Sequence, residues 1–204
     1  IIMSGCLLMQ VLKEEMRKRI YDAALKEFYE NGFKNASVRE IAKGAGMTVG
    51  NLYRYFDSKE SLFYSIIGPA YESLMQLVGL SLEKVSAGFD NGFFEELSEH
   101  ILKVSREHRI ELLILFEGSS GSRYERAKDE MVQVVEGFLK GNILEQLKAR
   151  RVEIEDAYMF HIIAVNFVDG MTMIGRKYEG GEKLKRVAEQ YIAFYFSDVL
   201  DRFG

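Results

Sequence analysis

Between Ser37 and Leu62 the chain reads SVREIAKGAGMTVGNLYRYFDSKESL, which packs three helix starts into a very short span. Ser37 and Glu40 form a capping box: the serine accepts from first-turn amides while the glutamate reaches back, setting a helix over about 38–44. Ala45-Gly46-Met47 supplies a tight turn, and Thr48 caps a second helix expected to run through Phe56. Asp57 or Ser58 caps another. Helices this short are not stable alone and need a longer partner. The segment upstream provides it. Ile20, Ala24 and Phe28 repeat at i, i+4, i+8 in a helix expected from Lys13 to Glu30. Asn31-Gly32 ends that helix, and Phe33 folds back as its apolar contact.

The single proline among 204 residues and the scarcity of alternating β-branched runs make the whole chain all-α. Residues 1–12 read as an N-terminal extension, 13–62 as a helix-turn-helix unit and 63–204 as a helical remainder. Past Gly68-Pro69, where a kink is expected, helices fall at about 92–107, 109–117, 122–150, 154–178 and 182–202. Loops at Ser86 to Gly92, Gly118 to Ser122 and Glu179 to Gly181 separate most of them. The first twelve residues lack a basic leader and are too short to span a bilayer. Cys6 has no internal disulfide partner, which fits a reducing cytoplasm.

Register sorts the surface of the second short helix. Leu52 and Phe56 face inward with Met47, against Ile41. Val49, Gly50, Asn51, Tyr53, Arg54 and Tyr55 are left pointing outward. Such a face is a poor solvated surface and a good groove reader. Gly50 permits close backbone approach, Asn51 can read base edges, and Arg54 can take guanine or a phosphate. Tyrosine hydroxyls can reach phosphate oxygens, although both tyrosines also suit a small core. Lys59 adds a charge in the first turn of the next helix. Net charge agrees: residues 1–62 carry ten Lys/Arg against eight Asp/Glu, whereas residues 63–204 carry seventeen against twenty-three.

Phe33, Ser37, Ile41-Ala42, Ala45-Gly46-Met47-Thr48, Gly50, Leu52-Tyr53, Tyr55-Phe56, Lys59 and Leu62 together resemble the DNA-binding signature of TetR-family transcriptional regulators. The likeness covers about fifty residues around Ile20 to Leu62. It departs where Met47-Thr48 replaces the commoner valine-serine and where Tyr55 replaces a frequent histidine. The resemblance implies a homodimer that binds a palindromic double-stranded DNA operator. The 63–204 region then becomes a ligand-binding and dimerisation domain that releases DNA on binding a small effector. By position it implies base or phosphate contacts from Arg39, Thr48, Val49, Gly50, Asn51 and Tyr53, and phosphate contacts from Tyr55 and Lys59. Repression is the expected mode, with the helix from Lys59 as the lever.

The remainder must be read from its own residues. Ala157 to Gly175 is apolar almost all round, but His161, Asn166 and Asp169 would be costly in lipid. A helix buried on two sides fits better, one side in its own domain and one on a second subunit, with Gly170 and Gly175 allowing close approach. The last helix, with Leu184, Val187, Ala188, Tyr191, Ile192, Tyr195 and Val199 at helical spacing, completes a four-helix bundle between two chains. Asn166 and Asp169 either bond across that dimer or line a cavity. His100 and His161 are candidate ligand contacts, as are Tyr71, Met75, Met131 and Phe138, for a hydrophobic or aromatic effector. All eight also admit a plain core role.

The competing reading is a helical small-molecule-binding protein or enzyme whose DNA-binding unit is incidental. A di-iron bundle needs Glu-x-x-His pairs, but Leu97, Ser105 and Tyr158 stand three before the histidines. No His-Glu-x-x-His, Cys-x-x-Cys or Walker loop occurs. The sequence therefore predicts no metal, no cofactor, no membrane partner and no catalysis.

Overall fold

The structure, a computed structural model, describes residues 2–85, 91–196 and 199–203. Its helices are α1 (Ile2–Asn35), α2 (Val38–Gly44), α3 (Val49–Leu52), α4 (Lys59–Val85), α5 (Asn91–Glu107), α6 (Arg109–Leu113), α7 (Ala127–Leu139), α8 (Glu145–Ala149), α9 (Tyr158–Lys177) and α10 (Gly181–Phe196). Single π turns, Ile114–Gly118 and Lys140–Leu144, extend α6 and join α7 to α8. A 3-10 turn closes the chain at Val199–Arg202. Among the described residues there is no strand.

The N-terminal unit forms as its caps dictate. Ile20, Ala24 and Phe28 are fully buried on α1. Gly32 breaks the helical path at φ 67, ψ 169, and Phe33 turns inward onto the Phe28 and Phe63 rings, with centroids 6.4 and 4.8 Å away. The backbone is already helical from Ile2, so the 1–12 extension continues α1 rather than preceding it. Ser37 Oγ accepts the Glu40 amide at 3.4 Å, but the reciprocal half of the capping box comes from elsewhere. Glu27 on α1 takes the Ser37 amide at 2.9 Å, which leaves Glu40 to pair with Lys43 at 3.3 Å. The expected partner lost because a carboxylate on the packed neighbour was already in place.

Helix α3 is shorter than expected. After Leu52 the chain tightens to i→i+3 bonds, Arg54 N to Asn51 O at 3.2 Å and Tyr55 N to Leu52 O at 2.9 Å. Ser58, not Asp57, caps α4, exchanging two 3.1 Å bonds with Ser61. Helix α4 then runs without interruption to Val85 with Pro69 inside it.

The C-terminal helices depart further from expectation. The helix expected from 122 starts at Ala127, because Ser119 and Ser122 are buried and bond the backbone themselves. Ser119 Oγ donates to the Leu115 and Tyr124 carbonyls, and Ser122 Oγ accepts the Tyr124 amide at 3.0 Å. The end of that helix agrees with the expected 150, since α8 closes at Ala149 and Arg151 turns at φ 59; the next helix, expected from 154, begins only at Tyr158. The expected loop at 86–92 lies largely outside the described residues, and Gly92 is already in α5.

One contiguous core runs from α1 through α4 into α7, α9 and α10. The junction is tight. A Cβ on Gly32 would stand 3.1 Å from the Gly118 carbonyl oxygen, and one on Gly118 would stand 3.4 Å from Gly32 Cα. The end of α1 therefore rests backbone to backbone on the first π turn. Beside this contact Tyr21 of α1 donates to Glu111 of α6, and burial together with that carboxylate raises the phenol well above its usual range.

Candidate nucleic-acid interface and effector cavity

The recognition surface is held from beneath and open above. Thr48 Oγ1 accepts the Asn51 amide at 3.2 Å, fixing the start of α3. Leu52 is buried under the turn, with Ile41, Ala42 and Ala45 in the same core. Thr48, Gly50, Asn51, Tyr53 and Arg54 are exposed, as is Arg39 on α2. Tyr53 leaves 44% of its surface in solvent, a large exposure for an aromatic side chain with no inward task. A Cβ at Gly50 would meet nothing within 4 Å. The fold itself does not require glycine there.

Val49 and Tyr55 are half-buried and packed against the core, so they are edges of this surface rather than its centre. Phe56, expected inward, is also only half-buried. Tyr55 borders an open cleft of about 430 Å³ with Arg17, Lys18 and Tyr21 of α1. Arg19 lies against Gly46 of the turn. These basic residues of α1 were missed by the reading of motifs. The run Arg17-Lys18-Arg19 was the available signal, set outside the helix-turn-helix where no motif directs attention.

Lys59 is not a free cation. Its ammonium donates to the carbonyls of Phe33 at 2.8 Å and of Lys34 and Ala36 at 3.3 Å, and lies 4.8 Å over the Phe33 ring. It thereby ties the start of α4 to the carbonyls left open after the Gly32 break. The expected phosphate contact competes with this internal task. Arg39 and Arg54, by contrast, have no carboxylate partner among the described residues.

The model of "Bacterial regulatory proteins, tetR family" matches residues 20–66, the segment just described. Residues 20–66 are thus similar to the DNA-binding unit of that family. The chain is 43% identical over 79 residues to an uncharacterized HTH-type transcriptional regulator of Bacillus subtilis, covering 35% of this chain and 40% of that one. It is 40% identical over 62 residues to the transcriptional repressor KstR of Mycolicibacterium smegmatis, 30% of each chain. The chain thus aligns with well under half the length of these relatives. A TetR-family regulator from Bordetella parapertussis matches at TM-score 0.63 with 18% identity, covering 89% of this chain and 94% of that one. That likeness is one of fold, and it extends over the C-terminal region as well.

That region holds a partly open apolar cavity of about 130 Å³ between α4, α5, α6, α7, α9 and α10. Leu74 and Val78, Ile101 and Val104, Leu112 and Phe116, Val134, Phe167, Met171 and Phe196 line it, together with Met131 and Phe138. Of the eight candidate ligand contacts only those last two are brought there. Tyr71 instead donates to Glu130 at 3.2 Å and packs on Tyr124, and Met75 lies half-buried beside the core. Successive residues turn by about 100° around a helix, so the Leu74–Leu77–Val78 face is rotated by roughly a quarter turn from the expected Tyr71–Met75 face.

The polar candidates have partners of their own. His161 meets Glu136 at 2.7 Å, and Glu136 also takes Lys140 at 2.6 Å; Lys140 first and His161 second hold that carboxyl below its ordinary range. His100 bonds the Glu96 carbonyl at 2.8 Å on the outer side of α5. Asp169 pairs with Lys128 at 2.5 Å, and Asn166 is exposed. Neither lines the cavity.

Gly170 faces inward: a Cβ there would collide with the Tyr191 ring of α10, whose hydroxyl reaches the Asn166 carbonyl at 2.6 Å. The close approach it permits is within one chain. The main stripe of α10, Leu184, Ala188, Ile192 and Phe196, is likewise buried in its own subunit. The apolar side chains left in solvent are Tyr158 at 60%, Ile162 at 48% and Met173 at 65% along one face of α9, and Phe194 at 66% on α10. Helix α9 is long and apolar enough to cross a membrane by length and composition.

Proposed function

We propose that this protein is a ligand-responsive DNA-binding repressor that acts as a homodimer in the cytoplasm. The observation that carries the reading is the open α3 surface. Exposed Asn51, Tyr53 and unpaired Arg54 flank a Gly50 whose Cβ position is empty. Two such surfaces, related by a two-fold axis, suit half-sites about one DNA turn apart or a multiple of it. The α9 face of Tyr158, Ile162 and Met173 with Phe194 is the surface such a dimer would bury; the charged Asp169–Lys128 pair on that side favours a protein partner over lipid.

The cavity suits a hydrophobic effector, and its connection to the DNA end supplies a mechanism. Leu112 and Phe116 touch the cavity from α6 and the first π turn. Two residues beyond Phe116, Gly118 bears on Gly32 at the end of α1. An effector that pushes Phe116 outward thus moves the support on which α1 rests, and with it α2 and α3. Because coupling is reciprocal, the effector lowers operator affinity by the factor that operator lowers effector affinity. This places the lever in α1 and the π turn rather than in α4 alone.

The test is selection of bound duplexes from a random pool with the purified protein. A two-fold symmetric consensus supports the reading. Recovery of no preferred duplex at low salt, where backbone attraction is strongest, would overturn it.

A further inference from the structure

Beside the apolar cavity lies a second section of about 60 Å³, and the two share Ser105, Leu112, Phe116 and Met171 in their linings. This section ends between α6, the last turns of α9 and the start of α10. Among the described residues the one charged residue lining either section is Arg109. Its Nε donates to the Gly175 carbonyl at 2.6 Å, which anchors the side chain against the last turns of α9. Among the described residues its terminal nitrogens have no partner and no carboxylate lines either section. An anchored guanidinium among otherwise apolar walls is arranged to meet an anion that arrives with an apolar tail.

The surroundings share that sign. The adjoining groove between α5 and α10 holds His100, Lys103, Arg106 and Lys185 against Glu99. Lys185 also has Glu189 at 3.7 Å, yet the rim stays basic. This is a local inversion, since residues 63–204 as a whole carry more acid than base. A positive rim in an acidic domain raises the local concentration of anions.

We infer that the effector is an amphiphile, with its apolar chain in the cavity and its carboxylate or phosphate head on Arg109. The inference rests on the cavity being the effector site. A neutral hydrophobic molecule would leave the guanidinium half-buried with donors unused, whereas an anionic head completes them.

Four ligands of one chain length test it: decanoate, decyl phosphate, decanol and decylamine, each below its aggregation concentration. Each competes with a neutral fluorescent naphthylamine for the purified protein. Both anions are expected to displace the dye at concentrations roughly tenfold lower than decanol, and decylamine to be weakest. Arg109→Gln should remove the difference between decanoate and decanol, while Arg109→Lys should keep part of it. A preference for decanoate over decyl phosphate marks a free acid as the head, and the reverse marks a phosphate ester; either supports the inference. Equal displacement by decanol and the anions overturns the role of Arg109 and leaves the apolar cavity standing. Displacement by none of the four overturns both. The wild-type comparison decides even where Arg109→Gln fails to fold for want of its bond to Gly175.

Discussion

The ammonium of Lys59 sits 2.8 Å from the carbonyl oxygen of Phe33, joining the first turn of α4 to the end of α1. The charge nearest the start of α4 is therefore spent largely on holding two helices together. Lys59→Met should lower the melting temperature and weaken binding to every duplex alike. The slope of log affinity against log salt should change by less than the roughly 0.9 that one lost phosphate contact brings. Titration of specific and scrambled duplexes at several salt concentrations measures this, and a full unit of change would assign the ammonium to DNA instead.

Asn51 stands exposed in the single turn of α3, its amide held by Thr48 and its side chain outward. Asn51→Ala should relax preference at one base pair per half-site, by about 1–3 kcal/mol at that pair. Affinity for scrambled duplexes should stay unchanged. Repeating the duplex selection with the variant reads this directly; uniform weakening would show a backbone contact.

Gly32 and Gly121 both hold positive φ, 67° and 81°, yet only at Gly32 would a Cβ meet a neighbour, the Gly118 carbonyl oxygen at 3.1 Å. Gly121→Ala should cost about 1 kcal/mol of conformational strain and leave DNA affinity intact. Gly32→Ala should cost more and also reduce DNA affinity, because α1 must lift off the π turn. Thermal melts and duplex titrations of the two variants separate strain from displacement.

Met173 and Ile162 lie on one exposed face of α9. In a two-fold interface each substitution is made twice against itself, so Met173→Glu should give monomers at micromolar concentration with unchanged helix content. Arg186→Glu, on the exposed polar side of α10, should remain dimeric. Sedimentation velocity distinguishes the two.

Glu136 joins α7 to α9 through His161 while holding Lys140 on its own helix. Its carboxyl is held below the ordinary range, first by Lys140 and then by His161. A depressed carboxylate stabilises the fold above its unfolded-state value, and the gain disappears as pH falls through the folded one. Glu136→Gln should therefore melt lower than wild type at pH 7, by roughly 1–3 °C for a partly exposed pair. The gap should be narrower at pH 3, where the carboxyl is closer to protonation. Melting curves at the two pH values check the sign.

The N-terminal unit was legible because its signals are local. Ser37, Thr48 and Gly32 each act within four residues of themselves, and all three do in the structure what their spacing demands. What failed there was a choice between partners: Glu27 and Glu40 could both serve Ser37, and tertiary packing decided. In the C-terminal region nearly every helix is apolar on several sides, so period alone cannot say which side meets the cavity. Tyr71 and Leu74 differ by less than a turn, and only the packing of α7 and α5 on α4 tells them apart. The serines that delay α7 to Ala127 were equally silent, since Ser119 and Ser122 stop a helix only once they are buried.

The single turn of α3 has a last consequence. Everything that fixes its course lies underneath, in Leu52, Ala45 and Ile41, or at its edge in Thr48. Gly50, Asn51, Tyr53 and Arg54 lie exposed on top, outside that packed core. They can thus be rewritten without loosening the frame, which makes this segment a ready mount for retargeting to another operator.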